Sequence, residues 1–99
     1  MSWLETTLSD RYTAESEAVV DAFIGIQVGS QSCVMQATDG GIVFCHEPPD
    51  FTLIFQDQTT FEAVLGDMQA AIQAFMLGKF RSTGYIMWSF QTLRMFSSD

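Results

Sequence analysis

The residues of this sequence that could do chemistry are few, and most of them stand in one short run. Cys45, His46 and Glu47 are consecutive, at the end of a segment that we interpret as a strand. Adjacent side chains of a strand point to opposite faces, so these three cannot converge on one metal ion without a bulge. Cys45 and His46 cannot pair as nucleophile and base for the same reason. We therefore predict neither a metal site nor a cofactor.

The remaining acids and glycines form no catalytic pattern. The acidic residues between Asp10 and Asp21 are spaced like a solvated surface, and they suggest no pair of carboxylates. Gly40-Gly41 precedes no helix start, which indicates a turn rather than a phosphate-binding loop. We therefore expect that the protein is not an enzyme.

Composition limits the fold and the partners. The chain has 99 residues, which predicts a single domain spanning residues 1–99. Its net charge of −8 argues against nucleic acid as a partner and against strongly anionic membranes. Three of the four basic residues nevertheless lie in the last fifth of the chain. Six Met and nine Phe exceed what a small core needs, and some of them could line a cavity instead.

We expect a cytoplasmic protein without stable membrane insertion. The first residues are acidic and polar, unlike a signal peptide, and no apolar run approaches the roughly 20 residues of a membrane span. The final Ser97-Ser98-Asp99 is not a peroxisomal signal. Cys33 and Cys45 are expected as two buried thiols rather than as a disulfide.

The first half of the chain predicts one helix and a meander of three strands. Ser2 and Glu5 form a capping box for a helix over residues 2–12, whereas residues 13–21 fit a second helix or an extended lead-in. Side chains then alternate, Asp39-Gly40 is typical of a hairpin turn, and Pro48-Pro49 ends the third strand. The predicted strands are 22–28, 32–38 and 42–46.

The second half predicts two further strands and three helices. Thr59 and Glu62 indicate a second capping box, Asp67 caps the next helix, and Gly66 and Gly78 end the two helices. The predicted elements are a strand over 50–56, a short helix up to 66, a helix over 68–77, a strand over 79–83 and a helix over 86–96. The fold class is therefore α+β: a five-stranded, mostly antiparallel sheet with its helices packed on one face.

The helix over 68–77 is the element around which the others are arranged. Ala71, Ile72, Phe75 and Met76 fall on one stripe. We place Phe75 in the core and expect Phe75→Asp to abolish folding, because it would bury a charge.

The stretch from Asp50 to Phe96 resembles the C-terminal half of the type-2 sterol carrier protein domain. That half has a strand, a short helix ending in glycine, a helix ending in an A-F-M-x-G-K pattern, an alternating strand closed by glycine, and a final helix. The matching positions are Ala74, Phe75, Met76, Gly78, Lys79 and Gly84. The resemblance implies an apolar tunnel between sheet and helices that holds sterols, fatty acids, acyl-CoA or phospholipids. Some bacterial relatives assist isoprenoid-quinone synthesis.

Our first hypothesis is therefore non-enzymatic binding or transfer of an apolar lipid. Thioether and aromatic side chains suit flexible apolar ligands, although a plain core would use the same residues. The predicted lining residues are Phe55, Leu65, Met68, Ile72, Phe75, Met76, Ile86, Trp88, Phe90 and Leu93. The alternative hypothesis is a protein-interaction or homodimerisation module that uses the apolar last helix, with Met87, Trp88 and Met95 as an exposed anchor. Such a module could be an accessory factor in lipid or quinone metabolism.

Overall fold

The computed structural model describes residues 2–13, 22–38 and 41–96, which form four helices and five strands. The predicted Asp39-Gly40 turn and nearly all of the ambiguous segment 13–21 lie outside these residues. The elements are α1 Trp3–Arg11, β1 Ile24–Val28, β2 Gln31–Thr38, β3 Gly41–Cys45, β4 Phe51–Phe55, α2 Gln58–Val64, α3 Met68–Met76, β5 Phe80–Ser82 and α4 Ile86–Leu93. The predicted α+β fold class and the order of its elements are confirmed.

The sheet has the strand order β3-β2-β1-β4-β5 and is mixed. The β1–β2, β2–β3 and β4–β5 pairs are antiparallel, whereas β1 and β4 are parallel, with Ile24 opposite Phe51. The parallel pair arises because the chain, after β3, passes both β2 and β1 before it rejoins the sheet. The prediction of a mostly antiparallel sheet therefore missed one parallel pairing at its centre.

Gly25 and Asp50 explain how the chain makes that crossing. A Cβ atom added to Gly25 would lie 2.5 Å from Thr52 Oγ1 and 3.2 Å from Pro49 Cβ, so the Pro48-Pro49 segment passes closely over β1 at this glycine. Asp50 then fixes the start of β4, because its backbone N–H donates to the Phe23 carbonyl at 2.7 Å and its carboxylate accepts from the Phe23 N–H at 2.9 Å. The two prolines thus end β3, as predicted, and also direct the crossover.

One face of the sheet carries the core, and all four helices are joined to that face. The alternating buried side chains are Ile24, Ile26 and Val28 on β1, Met35 on β2, Phe51, Leu53 and Phe55 on β4, and Phe80 on β5. Aromatic contacts link α2, α3 and α4 to them, with centroid distances of 5.1 Å for Phe55–Phe61, 6.1 Å for Phe75–Phe80 and 5.8 Å for Phe51–Trp88. Trp3 of α1 in turn contacts Phe61 of α2 at 5.8 Å. The predicted one-sided packing is therefore correct.

The helix caps follow the sequence signals with one exception. The Ser2–Glu5 capping box of α1 is present, and the Asp67 carboxylate accepts from the Ala70 N–H at 3.1 Å at the start of α3. At α2, however, the cap is Asp57, whose carboxylate accepts from the Thr60 N–H at 2.8 Å, so the predicted Thr59 cap is wrong. Aspartate is a better cap than threonine, and it allows the helix to begin two residues earlier.

The last helix is shorter than predicted. It ends at Leu93, and Phe96 returns to an extended conformation in an antiparallel bridge with Tyr12. The Thr13 N–H donates to the Met95 carbonyl at 2.9 Å in the same place. Met95 and Phe96 are buried as a result, and this segment after α4 is anchored beside the end of α1.

Phe80 is the side chain whose loss should cost most in the region of β5. It has no accessible surface, and its ring stacks on Phe55 with centroids 4.9 Å apart. We expect Phe80→Ala to lower the free energy of unfolding by about 3–5 kcal/mol, because both the buried area and the ring contacts are lost. Urea denaturation measures this, with Val43→Ala as control. Val43 is an exposed apolar residue, and its truncation should cost no more than about 0.5 kcal/mol. If Phe80→Ala and Val43→Ala lost equal amounts of unfolding free energy, Phe80 would not be a major core contact.

Candidate functional site

Helix α3 turns its small side chains to the core and leaves its large ones at the surface. Ala71 and Ala74 are the buried residues of this helix. Ile72, Phe75 and Met76 are 44%, 42% and 79% exposed, although all three could be core residues. The sequence correctly predicts one apolar stripe on this helix. The structure shows that only these two alanines of the helix are buried, whereas Ile72, Phe75 and Met76 keep much of their surface accessible.

Helix α4 packs on the sheet through two polar residues and one leucine. Ser89, Thr92 and Leu93 are buried. The Ser89 hydroxyl donates to the Ser82 hydroxyl at 2.6 Å, and the Thr92 hydroxyl donates to the Trp88 carbonyl at 2.8 Å, so both buried hydroxyl groups have partners. Because polar side chains take up part of the buried face, the apolar residues of α4 lie at its sides and on its outer surface.

The two helices meet at a cluster of aromatic rings, which we call the aromatic seam and define as Phe75, Phe80 and Phe90. The centroids are 6.2 Å apart for Phe75–Phe90, 6.1 Å for Phe75–Phe80 and 6.2 Å for Phe80–Phe90. Phe80 is fully buried, Phe90 is half-buried and Phe75 is partly exposed. The seam therefore leads from the surface between α3 and α4 down to the β4–β5 part of the sheet.

The structure divides the ten predicted lining residues into three groups. Phe55, Leu65 and Leu93 lie in the core with at most 2% of their surface accessible, which leaves no water-sized space beside them. Met68, Ile86 and Phe90 are half-buried. Ile72, Phe75, Met76 and Trp88 are exposed. Seven of the ten therefore keep accessible apolar surface, which lies at and beside the seam.

Sequence reasoning left out two exposed apolar residues next to this surface. Leu77 is 70% exposed at the end of α3, and Tyr85 is 60% exposed at the start of α4. A signal for both was present, since each lies beside a glycine, at Gly78 and Gly84, outside the helical stripes. In the alternative hypothesis one anchor is wrong: Met95 is buried, whereas Met87 and Trp88 are exposed.

A cavity of about 660 Å³ opens beside β1 and the Pro48-Pro49 segment, and Ser2 and Glu5 of α1 contribute to its lining. Its lining includes Gly25, Gln27 and Thr52, whose side chains alternate with those of the core, and also Pro48 and Pro49. His46 and Glu47 lie at its exposed rim. Polar and apolar groups are mixed here, and none of the ten predicted lining residues contributes to it.

The two cysteines cannot form a disulfide, because they point to opposite faces of the sheet. Cys45 is paired with Val34, the neighbour of Cys33 in β2, and both thiols are free and half-buried. Burial, and to a lesser degree the negative charge of Glu5, raise the pKa of Cys33 to about 12. Within residues 2–13, 22–38 and 41–96, no three His, Cys, Asp or Glu side chains are placed to hold a metal ion.

In the same described ranges, no helix is long and apolar enough to cross a bilayer. Comparison at the level of sequence finds no matching protein-family model and no matching curated protein.

Comparison of folds does find similar solved structures. A UbiJ-SCP2 ubiquinone synthesis protein superposes with a TM-score of 0.66 and 14% identity, over 93% of this chain and 84% of that chain. The sterol carrier protein domain 2 of Helicoverpa armigera superposes with a TM-score of 0.50 and 21% identity, over 74% of this chain and 64% of that one. A stereoselective inverting sec-alkylsulfatase from Pseudomonas sp. superposes with a TM-score of 0.62 and 15% identity, but the match covers only 15% of that enzyme. The resemblance to sterol carrier domains is thus confirmed at the level of the fold.

The exposure of Phe75 reverses one expectation drawn from the sequence. Since 42% of its surface is accessible, an aspartate at this position would keep its carboxylate in water. We now expect Phe75→Asp to fold cooperatively and to lose about 1–2 kcal/mol of unfolding free energy, through the lost ring contacts. Urea denaturation followed by circular dichroism tests this. If the variant showed no cooperative transition, Phe75 would be a core residue, as the sequence predicts.

The raised pKa of Cys33 predicts how stability depends on pH. An unfolded thiol ionises near pH 8.5, whereas the folded protein holds this thiol protonated to about pH 12. The unfolded state therefore binds fewer protons above about pH 8.5, and stability falls as the pH rises through this window. We expect the urea midpoint to fall less between about pH 8 and about pH 10 in Cys33→Ala than in the unmodified protein or in Cys45→Ala. If the urea midpoint depended on pH in the same way in all three proteins, the pH effect would not come from Cys33.

Proposed function

We propose that this domain, which has the fold of the type-2 sterol carrier proteins, binds an apolar lipid chain at the aromatic seam and catalyses no reaction. The observation that carries the proposal is the exposure of large apolar side chains along one edge of the core. Ile72, Phe75 and Met76 would each stabilise the protein if they were buried, and the fold leaves them accessible instead.

The seam has the chemistry that a lipid chain requires. Phe75 and Phe90 offer ring surfaces at the entrance, and Met76 beside them can adapt its thioether to ligands of different shape. Burial of a chain is worth about 0.8 kcal/mol per methylene group, before the costs of ordering are subtracted. A chain of roughly a dozen carbons would then bind with a dissociation constant on the order of micromolar.

The packing of α3 favours an entry route into the layer below. This helix contacts the core through Ala71 and Ala74, so its displacement exposes less apolar surface than displacement of a helix anchored by leucines. A ligand that replaces the contacts of Phe75 with Phe80 and Phe90 would compensate for the movement. We therefore expect the ligand to lie first on the seam and then to part α3 from α4.

The similar structures support an apolar ligand through their names. One is named for ubiquinone synthesis, one as a sterol carrier and one as an alkylsulfatase, and each of these names refers to an apolar compound or an alkyl group. A binding role without catalysis is supported by the positions of the reactive residues. His46 is exposed directly after β3, at the edge of the sheet opposite β5, and burial disfavours the thiolate of Cys33.

Displacement of a fluorescent fatty acid tests the proposal. We expect Phe75→Ala to raise the dissociation constant about tenfold, which corresponds to about 1.4 kcal/mol of lost ring contact with the chain. Val43→Ala is the matched control, since it removes an equally exposed apolar side chain that lies on β3, and it should bind like the unmodified protein.

Two outcomes would contradict the proposal. If Phe75→Ala and Val43→Ala bound the fatty acid with equal dissociation constants, the seam would not be the binding site. Absence of fatty-acid binding, combined with an oligomer that Trp88→Ala converts to monomer on a sizing column, would favour the interaction module.

A further inference from the structure

A pair of serine hydroxyl groups lies between α4 and β5, next to the aromatic seam. Ser89 of α4 has no accessible surface, and its hydroxyl donates to the Ser82 hydroxyl at 2.6 Å. Ser82 lies two residues after Phe80 in β5, so both side chains point to the helix face of the sheet, about 7 Å apart along the strand. Phe90 follows Ser89 in α4, and its ring contacts the Phe80 ring at 6.2 Å. The hydroxyl pair therefore adjoins the buried end of the seam.

This pair keeps one proton that it does not use. Two hydroxyl groups have two protons, and only one of them lies in the bond between the serines. The Ser82 oxygen also accepts from the Gly84 N–H at 3.2 Å, so both of its acceptor positions are taken. Among the described residues, the two serine hydroxyls form no other hydrogen bond. One O–H group of the pair is thus available to a further acceptor.

The other buried hydroxyl of α4 is bonded within its own helix. Thr92 is as fully buried as Ser89, but its hydroxyl donates to the Trp88 carbonyl at 2.8 Å. That bond stays intact when α4 moves as a body, whereas the Ser82–Ser89 bond joins two elements and breaks when they separate. A ligand that parts α4 from β5 must therefore replace the bond between the serines.

We propose that Ser82 and Ser89 bind the carbonyl oxygen of a neutral lipid, such as a long-chain ketone or ester, whose chain lies along the seam. This inference rests on the proposed function, because it requires an apolar chain at the seam. A carbonyl oxygen has two lone pairs and accepts from both hydroxyl groups, so the ligand exchanges one bond of the pair for two. The end of a pure hydrocarbon accepts no bond, and it would leave two buried hydroxyl groups without a partner. The pair therefore selects for an acceptor at the end of the chain.

The surroundings of the pair favour a neutral acceptor over an ionised one. Strand alternation points Arg81 to the opposite face of the sheet, where it is exposed. Leu53 lies opposite Ser82 in β4 and has no accessible surface. A carboxylate beside this leucine would lose its hydration and gain no cationic partner from β5. An ionised fatty acid should therefore keep its carboxylate in water and place only its chain on the seam.

Displacement of a fluorescent fatty acid by three ligands of equal chain length tests this inference. The ligands are a methyl ketone, the alkane and the fatty acid, and the variants are Ser82→Ala/Ser89→Ala and Thr92→Val. The double variant should fold, because it removes both hydroxyl groups and leaves neither of them unpaired. Thr92→Val is the matched control, since it removes an equally buried hydroxyl group of the same helix.

The measured quantity is the ratio of the alkane dissociation constant to the ketone dissociation constant. We expect this ratio to be the same in the unmodified protein and in Thr92→Val, and to fall about tenfold in the double variant, which corresponds to about one net hydrogen bond. Affinity for the fatty acid should not change in either variant. In the unmodified protein, the infrared carbonyl band of an isotope-labelled ketone should lie at lower frequency than in a hydrocarbon solvent, because hydrogen bonds weaken the C=O bond.

The infrared band needs no variant, so the test does not depend on whether the double variant folds. A carbonyl band at the hydrocarbon-solvent frequency would overturn the inference, and so would an equal ratio in all three proteins. If the unmodified protein binds the fatty acid but either of these results is found, the serine pair fails alone and the seam remains. If it binds neither the fatty acid nor the ketone, the proposed function fails, and the inference fails with it.

Discussion

The stacking of Phe80 on Phe55 is the contact on which the arrangement of the second half depends. Strand β5 has only three residues and pairs with β4 alone, so few backbone hydrogen bonds fix it to the sheet. The stacked rings, with centroids 4.9 Å apart, anchor it from the core side. Helix α3 precedes this strand in the chain and α4 follows it, so the positions of both helices depend on the position of Phe80.

This anchor also explains why the surface between α3 and α4 is apolar and accessible. Phe80 lies below Phe75 and Phe90, and it fills the space that either ring would need to become fully buried. Helix α3 turns Ala71 and Ala74 into the core, whereas Phe75 contacts Phe80 and keeps part of its ring accessible. The exposed apolar surface follows from how the core is filled, and a lipid chain is a ligand with the matching chemistry.

Most of the elements could be predicted from local signals in the sequence. The Ser2–Glu5 box, the Asp67 cap and the two prolines act on their immediate neighbours, and the structure shows each of them in its predicted place. The parallel pairing of β1 with β4 could not be derived in this way, because it depends on a path across the sheet. Gly25 and Asp50 make that path possible through contacts with residues about 25 positions away in the chain.

The candidate site could be predicted only in part, because the exposure of its residues, like the β1–β4 pairing, depends on contacts between elements that are distant in the sequence. Helical periodicity identified the apolar stripe of α3, but it does not give the width of the surface against which the stripe packs. Phe75 was therefore placed in the core, and its partial exposure depends on Phe80, which belongs to another element. Tyr85 was omitted because it lies before the start of the predicted last helix, and Leu77 because it is the final residue of the predicted helix and lies outside its apolar stripe.

Native mass spectrometry, followed by denaturing extraction of the bound compound, shows directly whether the seam holds an apolar ligand. The protein should be incubated with a fatty acid or an isoprenoid before the measurement, beside Phe75→Asp as the variant with a charged seam. We expect a monomer that carries one apolar molecule, and a Phe75→Asp protein that is folded and largely free of ligand. A protein that remains free of lipid under these conditions, or a variant that binds as well as the unmodified chain, would contradict this expectation.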